Sequence, residues 1–243
     1  MMLEPKWESQ LREAVMHFWL TRSSQSDSQG LGSGKKDAGS RGAVTGGKQL
    51  QGFTDLVCDY LEESGIDRPS IHCDRLVEIP GWYRPEKCWD LLVISNKRLI
   101  AALEFKSQVG SFGNNFNNRT EEALGSATDL WAAYREGAFA PSARPWLGYF
   151  MIIEEAPESN RPVGVKESHF KVFPEFVNSS YTKRYEILLT KLVRDRHYDN
   201  ACLLTSTKEG GPLGAYREPS SELSFHLLLR SLKARALANG ESE

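Results

Sequence analysis

Asp90, Glu104 and Lys106 stand where a short β-hairpin would bring them together. The apolar runs WDLLVI (89–94) and LIAALEF (99–105) are separated by SNKR, the pattern of two buried strands joined by a turn. A turn centred on Lys97 pairs Asp90 with Glu104, Leu92 with Ala102 and Ile94 with Ile100. Side chains alternate faces along a strand, so Glu104 and Lys106 point the same way. Directly opposed residues lie about 4.5–5.5 Å apart at Cβ. One end of an apolar hairpin then carries two carboxylates and an ammonium on a single face.

Facing carboxylates destabilise a strand pair, and a divalent cation between them removes the repulsion. Magnesium suits such a site, since it takes one or two carboxylates and fills its other positions with water or phosphate. A bound metal lowers the pKa of water and stabilises charge on a phosphoryl oxygen. Lys106 would orient that water or stabilise the hydroxide. These are the parts of metal-dependent phosphodiester hydrolysis. A plainer reading is a strand end at the solvent boundary, with Glu104 and Lys106 as a surface pair worth ~0–1 kcal/mol. A carboxylate-pair glycosidase, with acids about 5–5.5 or 6.5–9.5 Å apart, has no use for Lys106.

The next segment, SQVGSFGNNFNNR (107–119), sets asparagines and an arginine around Phe116. Asparagine contacts adenine, and arginine guanine, through paired hydrogen bonds. Asn114, Asn115, Asn117 and Arg119 are therefore candidate DNA contacts, and Gly110 and Gly113 let the backbone come close to a ligand. Asn118 has the form of a helix cap, with Glu121 three residues on. Glu121 and Glu122 would then lie in the first helical turn, where the dipole favours acids.

The surrounding elements must position these groups. Trp7, Leu11, Val15, Phe18 and Trp19 predict an amphipathic helix over 5–20. Residues 21–47 hold seven glycines and six serines and read as a flexible, mildly basic segment. Its GSGKK lacks the spacing of a phosphate-binding loop, with Gln29 and Lys36 at the positions that need Gly and Ser or Thr. Further helices are predicted over 50–64, from Asn118 to Gly137, over 181–193 and over 221–238. Strands are predicted over 75–79, 146–153 and 201–205, with PGWYRP (80–85) as punctuation. Mixed strands and helices without strict alternation predict an α/β fold, a central sheet flanked by helices, with residues 1–243 as a single domain.

Composition narrows the class. With 40% hydrophobic and 10% aromatic residues, the 243-residue chain can bury a core. A net charge of −2 excludes a polycationic DNA coat but not a basic cleft. Four cysteines without a CxxC pair make neither a zinc site nor a disulfide scaffold. The five histidines form no HxH or HxxxH pair. No apolar run reaches the roughly 20 residues of a membrane span, and no secretory signal is evident, so a cytoplasmic protein is expected.

PGWYRPEKCWD (80–90) and ALEFKSQVGSFGNNFNNRTEEALGSATDL (102–130) resemble the XhoI family of type II restriction endonucleases. The likeness extends to GGKQLQGF (46–53) and VFPEFVNSSYTKRYEILLTKL (172–192), and so spans most of residues 46–192. That family falls in the PD-(D/E)xK nuclease superfamily. The resemblance implies an α/β/α core with a mixed sheet and Mg²⁺-dependent hydrolysis that leaves a 5′-phosphate. It implies Asp90, Glu104 and the Phe105 carbonyl as metal ligands, and Lys106 as water-positioning base or charge stabiliser. Trp89 stands where the superfamily has proline. It further implies double-stranded DNA as substrate, cut at the palindrome CTCGAG after the first C by a homodimer, and a methyltransferase that protects host DNA. A structure-selective or repair nuclease and an inactive DNA-binding relative are the alternatives.

Overall fold

The computed structural model of the chain describes residues 3–30 and 41–240. Apolar stripes order its elements. Helix α1 (Pro5–Gly30) buries the Trp7, Leu11, Val15, Phe18 and Trp19 stripe against α2 (Arg41–Glu63), which answers with Phe53, Val57 and Leu61. The segment expected to be flexible thus contributes helix at 21–30 and 41–47; residues 31–40 lie outside the described residues. Local bonds carry α1 past residue 20: the Ser23 hydroxyl donates to the Trp19 carbonyl, and Arg22 donates to Gln49 Oε1 at 2.8 Å.

Strand β1 (Ile71–His72) follows. The strand expected at 75–79 is displaced to β2 (Glu78–Pro80), which pairs antiparallel with β3 (Glu86–Cys88). PGWYRP is therefore the tip of a hairpin rather than the end of a strand, because the buried Asp129 carboxylate receives the backbone N–H groups of Trp82 and Tyr83. Then come β4 (Leu91–Ser95), β5 (Arg98–Gln108) and α3 (Phe112–Arg135). The chain continues through β6 (Trp146–Glu154), the short α4 (Pro157–Asn160), α5 (Tyr181–Arg194), β7 (Asn200–Ser206) and α6 (Phe225–Gly240). Ahead of α6, Ser221–Leu223 is a single 3₁₀ turn, so the last helix starts later than its leucine pattern suggests.

The main sheet runs β1-β4-β5-β6-β7. Pairs β1–β4 and β4–β5 are antiparallel, while β5–β6 and β6–β7 are parallel. Both faces are covered, as a sheet with parallel strands and crossover helices requires. Phe105, Phe150, Cys202 and Leu204 face the core shared with α1, α2 and α6. Leu92, Ala102, Tyr149, Met151 and Leu203 face the core shared with α3 and α5. This is the expected α/β/α arrangement around a mixed sheet.

Candidate active site

The β4–β5 hairpin sets the site. Its turn is two residues, Asn96 and Lys97, both left-handed at φ 50° and 60°. Ile94 faces Leu99 rather than Ile100, and the register slips between Val93 and Ile94. Beyond the slip, Leu92 faces Ala102 and Leu91 faces Leu103, so Asp90 lies across from Glu104 as expected. The Phe105 ring packs against Phe150 on one side of the sheet at 5.3 Å between centroids. Alternation therefore sends Glu104 and Lys106 to the other side.

Contacts are close. Asp90 Oδ2 accepts the Phe105 backbone N–H at 2.7 Å. Glu104 Oε1 lies 2.5 Å from Lys106 Nζ, and Oε2 accepts from Lys87 Nζ at 2.7 Å. Burial and the like charge of Glu104 raise the Asp90 pKa, against the pull of Lys106, the Phe105 N–H and Lys87. For Glu104, burial acts to raise the pKa, but the two lysines outweigh it and hold the carboxyl below its ordinary value. Burial acts to lower the Lys106 pKa, and Glu104 and Asp90 reverse that, so its ammonium is stabilised.

Asp90 and Lys106 open into a cleft of about 590 Å³ that is also lined by Phe105, Gln49, Gln51, Asp74, Arg119 and Glu122. Among the described residues no group of three or more His, Cys, Asp or Glu could hold a metal unaided. The oxygens that could hold a cation are hard: the Asp90 carboxylate, raised in pKa by burial and then by Glu104, the Glu104 carboxylate and the Phe105 carbonyl. That set fits magnesium, which completes its shell with water or phosphate, and suits neither zinc nor a soft metal.

The DNA candidates are not all at one place. Helix α3 begins at Phe112, so Asn118 is no cap and lies within the second turn. Ser111 holds the N-cap position at φ 45° after Gly110 at φ 63°, and Phe112 stacks on Tyr181 with ring centroids 6.1 Å apart. The left-handed pair bends the chain off β5, and Phe112 burial starts the helix early. Asn114 and Asn117 are exposed on the opening turns, while Asn115 donates to the Ser111 carbonyl at 3.2 Å. Arg119 reaches the cleft and pairs with Glu122; its buried Nε has no partner among the described residues. Glu121 and Glu122 fall in the third turn, too far along to cap α3.

The family model for restriction endonuclease XhoI matches residues 29–218 of this chain. The chain belongs to the XhoI restriction endonuclease family. It is 51% identical over 203 residues to the type II restriction enzyme BstVI of Geobacillus stearothermophilus, covering 81% of this chain and 91% of that one. It is 53% identical over 167 residues to AbrI of Azospirillum brasilense, covering 68% and 74%. With XhoI of Xanthomonas vasicola it shares 40% over 188 residues, covering 75% and 73%. Both are also type II restriction enzymes by name. No solved structure matches the chain.

In this restriction endonuclease the sequence pattern missed both Lys87 and Gln49. Lys87 sits half-buried on β3 inside PEKCWD, between exposed Glu86 and exposed Cys88, and three residues carry no pattern that would have marked it in the sequence. Gln49 is buried in the opening turns of α2, where it accepts from Arg22 and donates to Ser107 Oγ at 3.4 Å. Trp89, in place of proline, puts its ring beneath Lys87 Nζ, 4.4 Å from the centroid. No helix among the described residues is long and apolar enough to cross a membrane.

Proposed function

We propose that this enzyme is a Mg²⁺-dependent type II restriction endonuclease that cuts both strands of double-stranded DNA at the palindrome CTCGAG. The cut falls after the first C and leaves a 5′ overhang ending in a 5′-phosphate. The observation that carries the chemistry is the convergence of Asp90, Glu104 and Lys106 on one side of the sheet, with Asp90 and Lys106 lining the cleft and Glu104 buried behind them. Family membership supports the choice of DNA as substrate, and the named XhoI relative supports the recognition sequence.

Asp90 and Glu104, with the Phe105 carbonyl, would hold the ion. A divalent cation supplies charge neutralisation at the phosphoryl group and makes water easier to deprotonate. Asp90 is kept in place by the Phe105 N–H, which leaves its second oxygen for a ligand. Lys106, anchored on Glu104, directs N–H groups into the cleft, where it orients the attacking water and stabilises the charge that grows on the phosphate. Asn114, Asn115, Asn117 and Arg119 would read or hold the DNA beside it. A palindrome is most simply read by a two-fold dimer with one active site per strand. A cognate methyltransferase would protect host DNA.

A digest tests this. A plasmid with one CTCGAG site and the same plasmid with that site mutated are each incubated with Mg²⁺ or EDTA. Linear product from the intact site with Mg²⁺ alone is expected. Discrete cuts in both plasmids would keep the nuclease and discard the recognition sequence. Diffuse degradation would favour the repair-type alternative, and no cutting would favour an inactive binding relative.

A further inference from the structure

The chain balances the charge of its own site. Asp90 and Glu104 contribute two negative charges, and Lys87 and Lys106, one on each Glu104 oxygen, contribute two positive ones. Lys87 is no loose surface lysine: its side chain is 10% exposed. Besides Glu104, it contacts the Trp89 ring at 4.4 Å and the Cys88 carbonyl at 3.3 Å. Trp89 is buried, and its backbone N–H donates to the Val77 carbonyl at 2.9 Å, so the seat itself is fixed.

We infer, on the magnesium-dependent activity proposed above, that Lys87 is a positioning residue acting through Glu104. Its ammonium takes the place of a second divalent cation, and each active site works with one ion. In hydrolysis the water oxygen bonds to phosphorus and the bond from phosphorus to the 3′ oxygen breaks. One water proton ends on the 3′-hydroxyl and the other on the 5′-phosphate. When the attacking oxygen has added as hydroxide and the old bond is not yet broken, the phosphoryl group carries two negative charges. One divalent cation beside the neutral protein cluster balances them. A second would leave surplus positive charge beside the buried Glu104, and uncompensated buried charge is strongly unfavourable. Each Glu104 oxygen already has a lysine partner, so an ion beyond the first would have to displace an ammonium to reach this carboxylate.

The test is Mn²⁺ binding to the full chain, read from the spectrum of the free ion, with thermal denaturation as a fold check. The wild type is expected to take one Mn²⁺ per chain and Lys87→Arg the same. Lys87→Met is expected to bind Mn²⁺ at least tenfold more tightly or to take a second ion. Its cleavage should fall at least tenfold, with a steeper Mg²⁺ dependence than the near first-order dependence of the wild type, and Lys87→Arg should restore both. Two ions on the wild type, or a Lys87→Met chain whose ion count, affinity and Mg²⁺ dependence are unchanged, would overturn the inference. Lys87→Gln replaces the methionine variant if that fails to fold, and the wild-type ion count decides independently of any variant. Asp90→Asn should take no ion. Binding by Asp90→Asn as by the wild type, or no binding by the wild type, would overturn the metal reading instead.

Discussion

The Asp90 carboxylate accepts the Phe105 backbone N–H at 2.7 Å, across the same strand pair that carries Glu104. The separation of the two carboxylates is thus set by main chain, not by a free rotamer. Asparagine at position 90 can accept the same N–H through its amide oxygen, and it removes the repulsion with Glu104. Asp90→Asn is therefore expected to melt at or slightly above the wild-type temperature. It should lose at least ~10³-fold in cleavage, the loss of several kcal/mol of charge stabilisation. A tenth of wild-type cleavage in this variant would remove Asp90 from the site.

The hairpin was legible because apolar runs mark buried strands, yet its register came out right at the site through two compensating differences. The turn is one residue tighter than a turn centred on Lys97, and β5 carries Ile100 as an extra residue at the slip. The shifts cancel before Asp90. The start of α3 was not legible, because Phe112 is recruited by Tyr181, 69 positions away, and no local signal encodes that contact. Lys87 stayed hidden for a like reason: its partner Glu104 lies on another sheet element, and a three-residue strand gives almost no periodicity to read.

Asp129 holds the 80–85 loop. Its carboxylate accepts the Trp82 and Tyr83 N–H groups at 2.8 Å each and pairs with Arg84 at 2.7 Å. Burial acts to raise its pKa, and the Tyr83 N–H, the Arg84 guanidinium and the Trp82 N–H outweigh that and depress it. A folded pKa below the unfolded value of about 3.9 contributes stability above that value and loses it as pH falls through the folded one. Asp129→Asn can keep both N–H bonds through its amide oxygen, so it should cost about 1–2 kcal/mol at neutral pH, the lost charge assistance of those bonds plus an Arg84 pair discounted for its half-exposed guanidinium. Denaturant titrations should show a constant gap between the two proteins above about pH 5 that narrows below about pH 4. A gap independent of pH would mean that the loss is packing, not charge.

Gly211 lies against Trp19, whose indole N–H donates to Ser206 Oγ at 2.9 Å. A Cβ on Gly211 would come within 1.9 Å of Trp19 Cδ1. Gly211→Ala must push the indole off its bond and is expected to cost about 1–3 kcal/mol. Trp19→Ala also destabilises, through a lost bond and a cavity, but it removes the ring atoms the methyl would meet. The double variant should be more stable than the sum of the single losses predicts, by more than about 0.5 kcal/mol. Strict additivity in denaturant midpoints would refute the clash.

Asn114 and Asn117 are exposed, three residues apart on the opening turns of α3, and so share a helix face. Asn115 donates to the Ser111 carbonyl instead. If the first two read bases, Asn114→Ala and Asn117→Ala should each weaken binding to a CTCGAG duplex in Ca²⁺ by about 1–3 kcal/mol, the value of one bidentate contact. Binding to a duplex of scrambled sequence, which rests on phosphates, should change little. Melting temperatures should hold, because neither side chain bonds to the described residues of the protein. Arg119→Ala should weaken both duplexes if its free Nε meets phosphate, and only the cognate one if the guanidinium reads guanine. Unchanged cognate binding in both asparagine variants would take recognition off this face of α3.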